Sequence, residues 1–144
     1  MTIVIDADLV AALVLPLPHS EQASRTFATW MQAGRATHAP LLLEYEVASI
    51  LRKATVAGLM SEANATEALR EILAMEIQCH PPTAALHHSA LRWAGRLGQS
   101  KAYDGHYLAL AEALQAELWT ADKRLVHGAR QAGAVWVHAL GKED

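Results

Sequence analysis

Short apolar runs alternate along the chain with longer stretches of helical periodicity, which predicts strands and helices in turn. Thr2-Ile-Val-Ile5 is β-branched and apolar up to Asp6, the pattern of a strand buried on both faces. Leu9–Leu15 is apolar almost throughout and is stopped by Pro16 and Pro18, so a short helix is expected there. Ser20 is placed to cap a second helix that runs to about Ala33 and ends at Gly34. Thr37–Ala39 predicts a second strand, after which Pro40 opens a long helix to about Ala57, closed by Gly58. A helix from Ser61 to about Met75 and a third strand over Glu76–His80 follow, before Pro81-Pro82 breaks the chain. Helices are then expected over Thr83–Leu97 and Asp104–Ala116, a fourth strand over Glu117–Thr120, a helix from near Asp122 to just before Gly133, and a last strand over Ala134–Val137.

Strands this far apart in sequence pair in parallel through right-handed crossovers, which puts helices on both faces of the sheet. The expected class is α/β: a three-layer α/β/α sandwich around a central, mainly parallel sheet of roughly five strands. No Gly-, Ser- or Pro-rich linker, repeat or charge run divides it, so residues 1–144 read as one domain. In such sheets ligands gather beyond the carboxyl ends of the strands, where the chain order reverses.

Composition narrows the chemistry. With 52% of 144 residues hydrophobic, the chain can bury a core without a disulfide or structural metal, and its single Cys79 could build neither a disulfide nor a cysteine zinc cluster. The apolar run Leu9–Pro18 is too short to span a membrane, and Asp6 and Asp8 stand where a signal peptide would carry positive charge, so a soluble, cytoplasmic protein is expected. Twelve Lys and Arg against fifteen Asp and Glu leave no overall positive field to attract nucleic acid; basic groups could act only in local clusters such as Arg52-Lys53, Arg92/Arg96 and Lys123-Arg124.

The acids are more informative. Of five Asp residues, Asp6, Asp8, Asp104 and Asp122 all sit where a strand ends or a helix begins, and only Asp144 lies elsewhere. Each alone reads plainly as a helix N-cap. Asp6 and Asp122 together say more, because both follow apolar strands and would converge on one edge of the sheet. On a helical wheel Asp104 falls within the arc of Tyr107, Leu108, Leu110, Ala111 and Leu114, so its carboxylate should point inward. In the helix after Pro40, Glu44 and Glu46 flank the apolar stripe on opposite sides, and periodicity does not choose between them. Several carboxylates at one strand edge repel strongly unless a cation neutralises them or some take protons. Oxygen-only donors select hard ions, Mg²⁺ or Mn²⁺, and such a site suits phosphoryl or nucleotidyl chemistry. The eight histidines show no His-x-x-x-His or Glu-x-x-His spacing and read as surface residues, the four tryptophans read as core, and no Gly-rich phosphate loop is present.

The segments Ile3-Val-Ile-Asp-Ala-Asp8, Ala39-Pro-Leu-Leu-Leu-Glu-Tyr-Glu-Val-Ala-Ser-Ile-Leu51, Tyr103-Asp-Gly-His-Tyr-Leu-Ala-Leu-Ala-Glu112 and Leu118-Trp-Thr-Ala-Asp-Lys-Arg-Leu125 resemble, in order and spacing, the successive motifs of PIN-domain ribonucleases. The likeness is nearest to the VapC-type toxins of bacterial toxin–antitoxin operons and covers essentially the whole chain. By position it places a metal-binding acidic quartet on Asp6, Glu46, Asp104 and Asp122, with Thr120 as an accessory hydroxyl, and so favours Glu46 over Glu44. It implies Mg²⁺- or Mn²⁺-dependent endonucleolytic cleavage of RNA with water as nucleophile, a homodimer, and inhibition by a VapB-type antitoxin. One departure stands out: position 8, usually Ser, Thr or Asn in the family, is Asp8, a fifth acid.

Two other functions compete. Asp6-Ala-Asp8 also fits the Asp-x-Asp of a haloacid-dehalogenase-type phosphatase, with the first Asp as nucleophile and the second as general acid. The chain is short for that fold, and it lacks a downstream Gly-Asp-x-x-x-Asp. A non-catalytic PIN-like binding module is the third reading.

Overall fold

The computed structural model describes residues 2–141 and contains five strands and seven helices in the order β1 (Ile3–Ile5), α1 (Ala7–Ala12), α2 (Ser20–Gln32), β2 (Thr37–Pro40), α3 (Leu42–Val56), α4 (Glu62–Ala74), β3 (Ile77–His80), α5 (Ala84–Leu97), α6 (Tyr103–Leu114), β4 (Glu117–Thr120), α7 (Lys123–Gln131) and β5 (Val137–Ala139). The strands form a single sheet in the order β3-β2-β1-β4-β5, with every neighbouring pair parallel. This is the expected three-layer α/β/α sandwich.

Ile3, Val4 and Ile5 are wholly buried, as a central strand between β2 and β4 requires. Helix α6 packs on β1, β2 and β4 with α5 against it, while α1 and α3 pack on each other and on β4 and β2. The α5–α6 approach depends on Gly105, where a Cβ would collide with the Ala90 carbonyl oxygen. That glycine directly follows Asp104, so the same close approach fixes the start of α6.

Several boundaries differ from expectation, each for a local reason. Pro40 ends β2 instead of opening α3: it pairs with His80, and the Leu41 N–H extends the ladder to the His80 carbonyl at 2.8 Å. Helix α1 starts at Ala7, two residues earlier than expected, because Asp6 caps it by accepting from Leu9 N–H, which places Asp8 inside the helix. Ser20 is not a cap; it opens α2 while its hydroxyl accepts from Leu17 N–H and donates to the Leu15 carbonyl, folding the Pro16–Pro18 turn. The last strand is Val137–Ala139, not Ala134–Val137. Ala134 N–H closes the end of α7 on the Ala129 carbonyl and Val135 stands exposed, so pairing with β4 begins only at Val137.

Candidate active site

The chain order reverses between β1 and β4, and the two strands pair in register from Ile3↔Glu117 to Ile5↔Trp119. Their next residues are therefore delivered side by side at the carboxyl edge of the sheet. Asp6 leaves β1 and caps α1; Asp122 follows β4 by two residues and caps α7, its Oδ1 accepting from Arg124 N–H at 3.0 Å and Leu125 N–H at 3.2 Å. Thr120, fully buried at the end of β4, joins them: its hydroxyl donates to Asp6 Oδ2 and accepts from Asp122 N–H at 3.0 Å.

Helices α3 and α6 bring the other acids. Glu46 accepts from the Tyr107 hydroxyl at 2.6 Å, linking the two helices. Asp104 lies in the first turn of α6 but does not cap it; its Oδ2 accepts from Gln99 Nε2 at 3.0 Å. Asp6, Asp8, Glu46 and Asp104 line one open cleft of about 430 Å³, with Tyr45, Tyr103 and Tyr107 among its other walls. Asp122 is not on that wall, but its charge reaches Asp8 and Asp104. Glu44 is exposed and its charge falls instead on Cys79, so of the two glutamates the structure brings Glu46 to the cleft.

The electrostatics record the crowding. Burial pushes the Asp6 carboxyl up from 3.8 to about 7, against the lowering effect of the Thr120 and Leu9 bonds, and the charges of Asp8 and Asp104 add to the rise. Burial also raises Asp8, Glu46 and Asp104, and each is raised further by another acid of the group. The ion pairs among the described residues all lie elsewhere. No three His, Cys, Asp or Glu side chains among the described residues are closed into a ready-made ligand cage; the acids line an open cleft. The donor set nevertheless fits a hard divalent cation: it is oxygen-only, strongly anionic, and unanswered by any protein ion pair.

Tyr107 and Gln99 were missed as site residues in the sequence. Tyr107 counted only as one of the apolar positions beside Asp104; its i,i+3 spacing to Asp104 gives no hint of Glu46, the acid its hydroxyl reaches on another helix, though a buried tyrosine hydroxyl does call for some partner. Gln99 lies outside any helix and carries no comparable signal. None of the eight histidines is buried, in line with the surface reading, but four of them meet in pairs: His38 Nδ1 and His80 Nε2 lie 2.8 Å apart across β2 and β3, and His87 meets His106 edge-on at 5.0 Å between α5 and α6. Trp30 and Trp93 are buried as expected, while Trp119 and Trp136 are only partly so.

The profile of the PIN domain family matches residues 3–131. Ribonuclease VapC3 of Pyrobaculum aerophilum is 33% identical to this chain over 129 residues, covering 87% of this chain and 92% of that protein. Among solved structures, VapC20 of Mycobacterium tuberculosis, described as a sarcin–ricin loop cleaving toxin, shares the fold with a TM-score of 0.68 at 17% identity, over 87% of this chain and 93% of that one. VapBC2 of Rickettsia felis, solved with a DNA fragment from its promoter, gives a TM-score of 0.68 at 9% identity over 96% and 98% of the two chains.

Proposed function

The chain belongs to the PIN-domain family, in its VapC branch, and on that premise we propose that it is a divalent-metal-dependent endoribonuclease, the toxin of a toxin–antitoxin pair, which hydrolyses RNA in the acidic cleft. The observation that carries the reading is the gathering of carboxylates at the topological switch point with no ion pair to them among the described residues. Asp6, Glu46, Asp104 and Asp122 would hold Mg²⁺ or Mn²⁺, with Asp8 as an accessory acid. When bound, such an ion lowers the pKa of a water and offsets the charge that builds on the phosphate as the bond breaks.

The protein's own part is to hold the acids in place. Thr120 and the Leu9 N–H fix both oxygens of Asp6, Tyr107 fixes Glu46, Gln99 holds Asp104, and two backbone N–H groups hold Asp122. Carboxylates already oriented by neighbours lose little freedom when they engage a ligand, which favours both binding and catalysis. The hydrogen bonds to Asp6 also favour its ionised form, the form a cation needs, against the pull of burial.

A VapB-type antitoxin is the proposed partner, supported by structural neighbours solved as toxin–antitoxin complexes, and a homodimer acting on RNA in the cytoplasm completes the reading. The test is cleavage of end-labelled RNA by purified protein with Mg²⁺, with Mn²⁺ and with chelator, together with growth on induced expression. Asp6→Asn, Glu46→Gln, Asp104→Asn and Asp122→Asn should each abolish cleavage and relieve growth arrest while remaining folded by circular dichroism. Any one of them cutting RNA at the wild-type rate removes that residue from the site, and metal-independent cleavage removes the ion.

A further inference from the structure

A second pocket, of about 340 Å³, opens beside the acidic cleft and shares Leu42, Tyr45 and Tyr103 with it as a common wall. Its surroundings differ in kind. Instead of acids it has an apolar lining that carries three imidazoles, those of His80, His87 and His106, supplied by β3, α5 and α6. Tyr45 and Tyr103 are large aromatics left 70% and 53% exposed on the dividing wall.

We propose that this pocket receives a nucleobase of the RNA strand whose phosphate enters the cleft, with Tyr45 and Tyr103 as stacking surfaces and the imidazoles of His80, His87 and His106 reading its edge. The inference rests on the ribonuclease function proposed above. Three features favour a base over other occupants. The shared wall makes the pocket continuous with the cleft, so one strand can occupy both. Exposed aromatic rings stack on any base, a mode by which proteins grip single-stranded RNA. Each imidazole presents two ring nitrogens for hydrogen bonds, which suits the edge of a base. His80 commits only its Nε2, to His38, which leaves its other ring nitrogen free for a ligand. A phosphate-binding pocket would need lysines or arginines, and none among the described residues lines this one.

The experiment has two arms. In the first, wild-type protein and the double variant Tyr45→Ala/Tyr103→Ala cleave a set of pentanucleotides that vary, or lack, the base on either side of the scissile bond. The wild type should lose at least tenfold in kcat/KM when one flanking base is removed, and the double variant should cut the intact and abasic RNAs at nearly equal rates. In the second, uncharged nucleosides are titrated into the isotope-labelled protein without added metal, with the histidine imidazole resonances as readout. Shifts should be confined to His80, His87 and His106 and should vanish in the double variant. Both tyrosines are exposed, so the fold should survive their loss.

An unchanged base preference in the double variant overturns the proposal. If that variant keeps its base preference but escapes inhibition by a VapB-type antitoxin, the pocket takes a side chain of the partner instead. If the wild type cuts no RNA at all, the nuclease function fails first, and the nucleoside titration still judges the pocket: no imidazole shift rejects it.

Discussion

The paired strands β1 and β4 carry an acid group at each end, and the two ends treat their carboxylates in opposite ways. At the amino end Glu117 meets Arg35 Nη2 at 2.8 Å, accepts from Trp119 Nε1 at 3.0 Å and has His138 at 3.8 Å. Burial pushes its carboxyl up, but the Trp119 and Arg35 bonds and the Arg35 charge outweigh that and hold it below the usual range. At the carboxyl end Asp6, Glu46 and Asp104 receive hydrogen bonds, Asp8 feels the charges of His19 and Lys53 without an ion pair, and burial holds all four above it. A carboxylate answered by the protein's own cation is structural. One that is left unanswered, beside others like it, is arranged for a charge from outside.

The largest contrast should appear in turnover. Asp104→Asn and Glu46→Gln are expected to abolish detectable RNA cleavage, a loss of at least about 10²–10³-fold, the scale seen when one preorganised charge-stabilising group is lost, whereas Glu117→Gln should leave it within a few-fold. Single-turnover assays on one labelled RNA decide this, and a large loss in Glu117→Gln would break the division between the two ends.

Stability against pH should differ in sign. Asp6 binds a proton more tightly folded than unfolded, so between its unfolded value of 3.8 and about 7 the native state holds more protons, and its contribution to stability falls as pH rises through that window. Three pKa units set an upper bound of roughly 4 kcal/mol on that loss. Glu117 works the other way: its contribution is present above its unfolded value and fades only as acid takes the pH down through its lowered folded value. Metal-free protein should therefore melt higher near pH 5 than near pH 8, and Asp6→Asn should flatten that slope.

Divalent ions should act at one end only. Mn²⁺ at a hundred times its dissociation constant is expected to stabilise the fold by about 2.7 kcal/mol, with apparent affinity falling as pH drops below 7 because protons compete for Asp6. Calorimetry and melting curves check both, and equal stabilisation of Asp104→Asn would count against the cleft as the site.

Removing the cation from the structural end should cost less. Arg35→Met strands Glu117 without its charge partner and is expected to lower stability by about 1–3 kcal/mol, measured by urea unfolding, with cleavage per folded molecule unchanged.

The smallest effect is expected at Asp8. It stands on α1 at the open rim of the cleft, and Asp8→Ser restores the residue type usual at that position in the family, so RNA cleavage should stay within a few-fold. Complete loss of turnover would instead fit a phosphatase using Asp8 as general acid.

Much of this was legible in the sequence, and the reason is periodicity. The β-branched run before Asp6, the caps Ser61 and Asp122, and helix stops such as Gly34 and Gly133 are local signals, because strand burial and helix capping act within a few residues. They fixed the order of elements, the parallel class and the convergence of Asp6 with Asp122. Where a distant partner decided, local signals failed. Pro40 lies in a strand because His80, forty residues on, is beside it; the last strand waits until Val137 for a nearer reason, the closing of α7 by Ala134 N–H on the Ala129 carbonyl.

The sequence alone therefore determined which residues are acids, which segments are strands and helices, and that Asp6 and Asp122 share an edge. Only the tertiary structure decided that Tyr107 holds Glu46, that Gln99 holds Asp104, that no arginine or lysine among the described residues forms an ion pair with the cleft, and that His38 meets His80 and His87 meets His106. The physical reason is range: capping and amphipathic patterning are set by neighbours a few residues away, whereas desolvation, Coulomb fields and hydrogen bonds between helices depend on side chains up to 114 residues apart, as for Thr120 and Asp6.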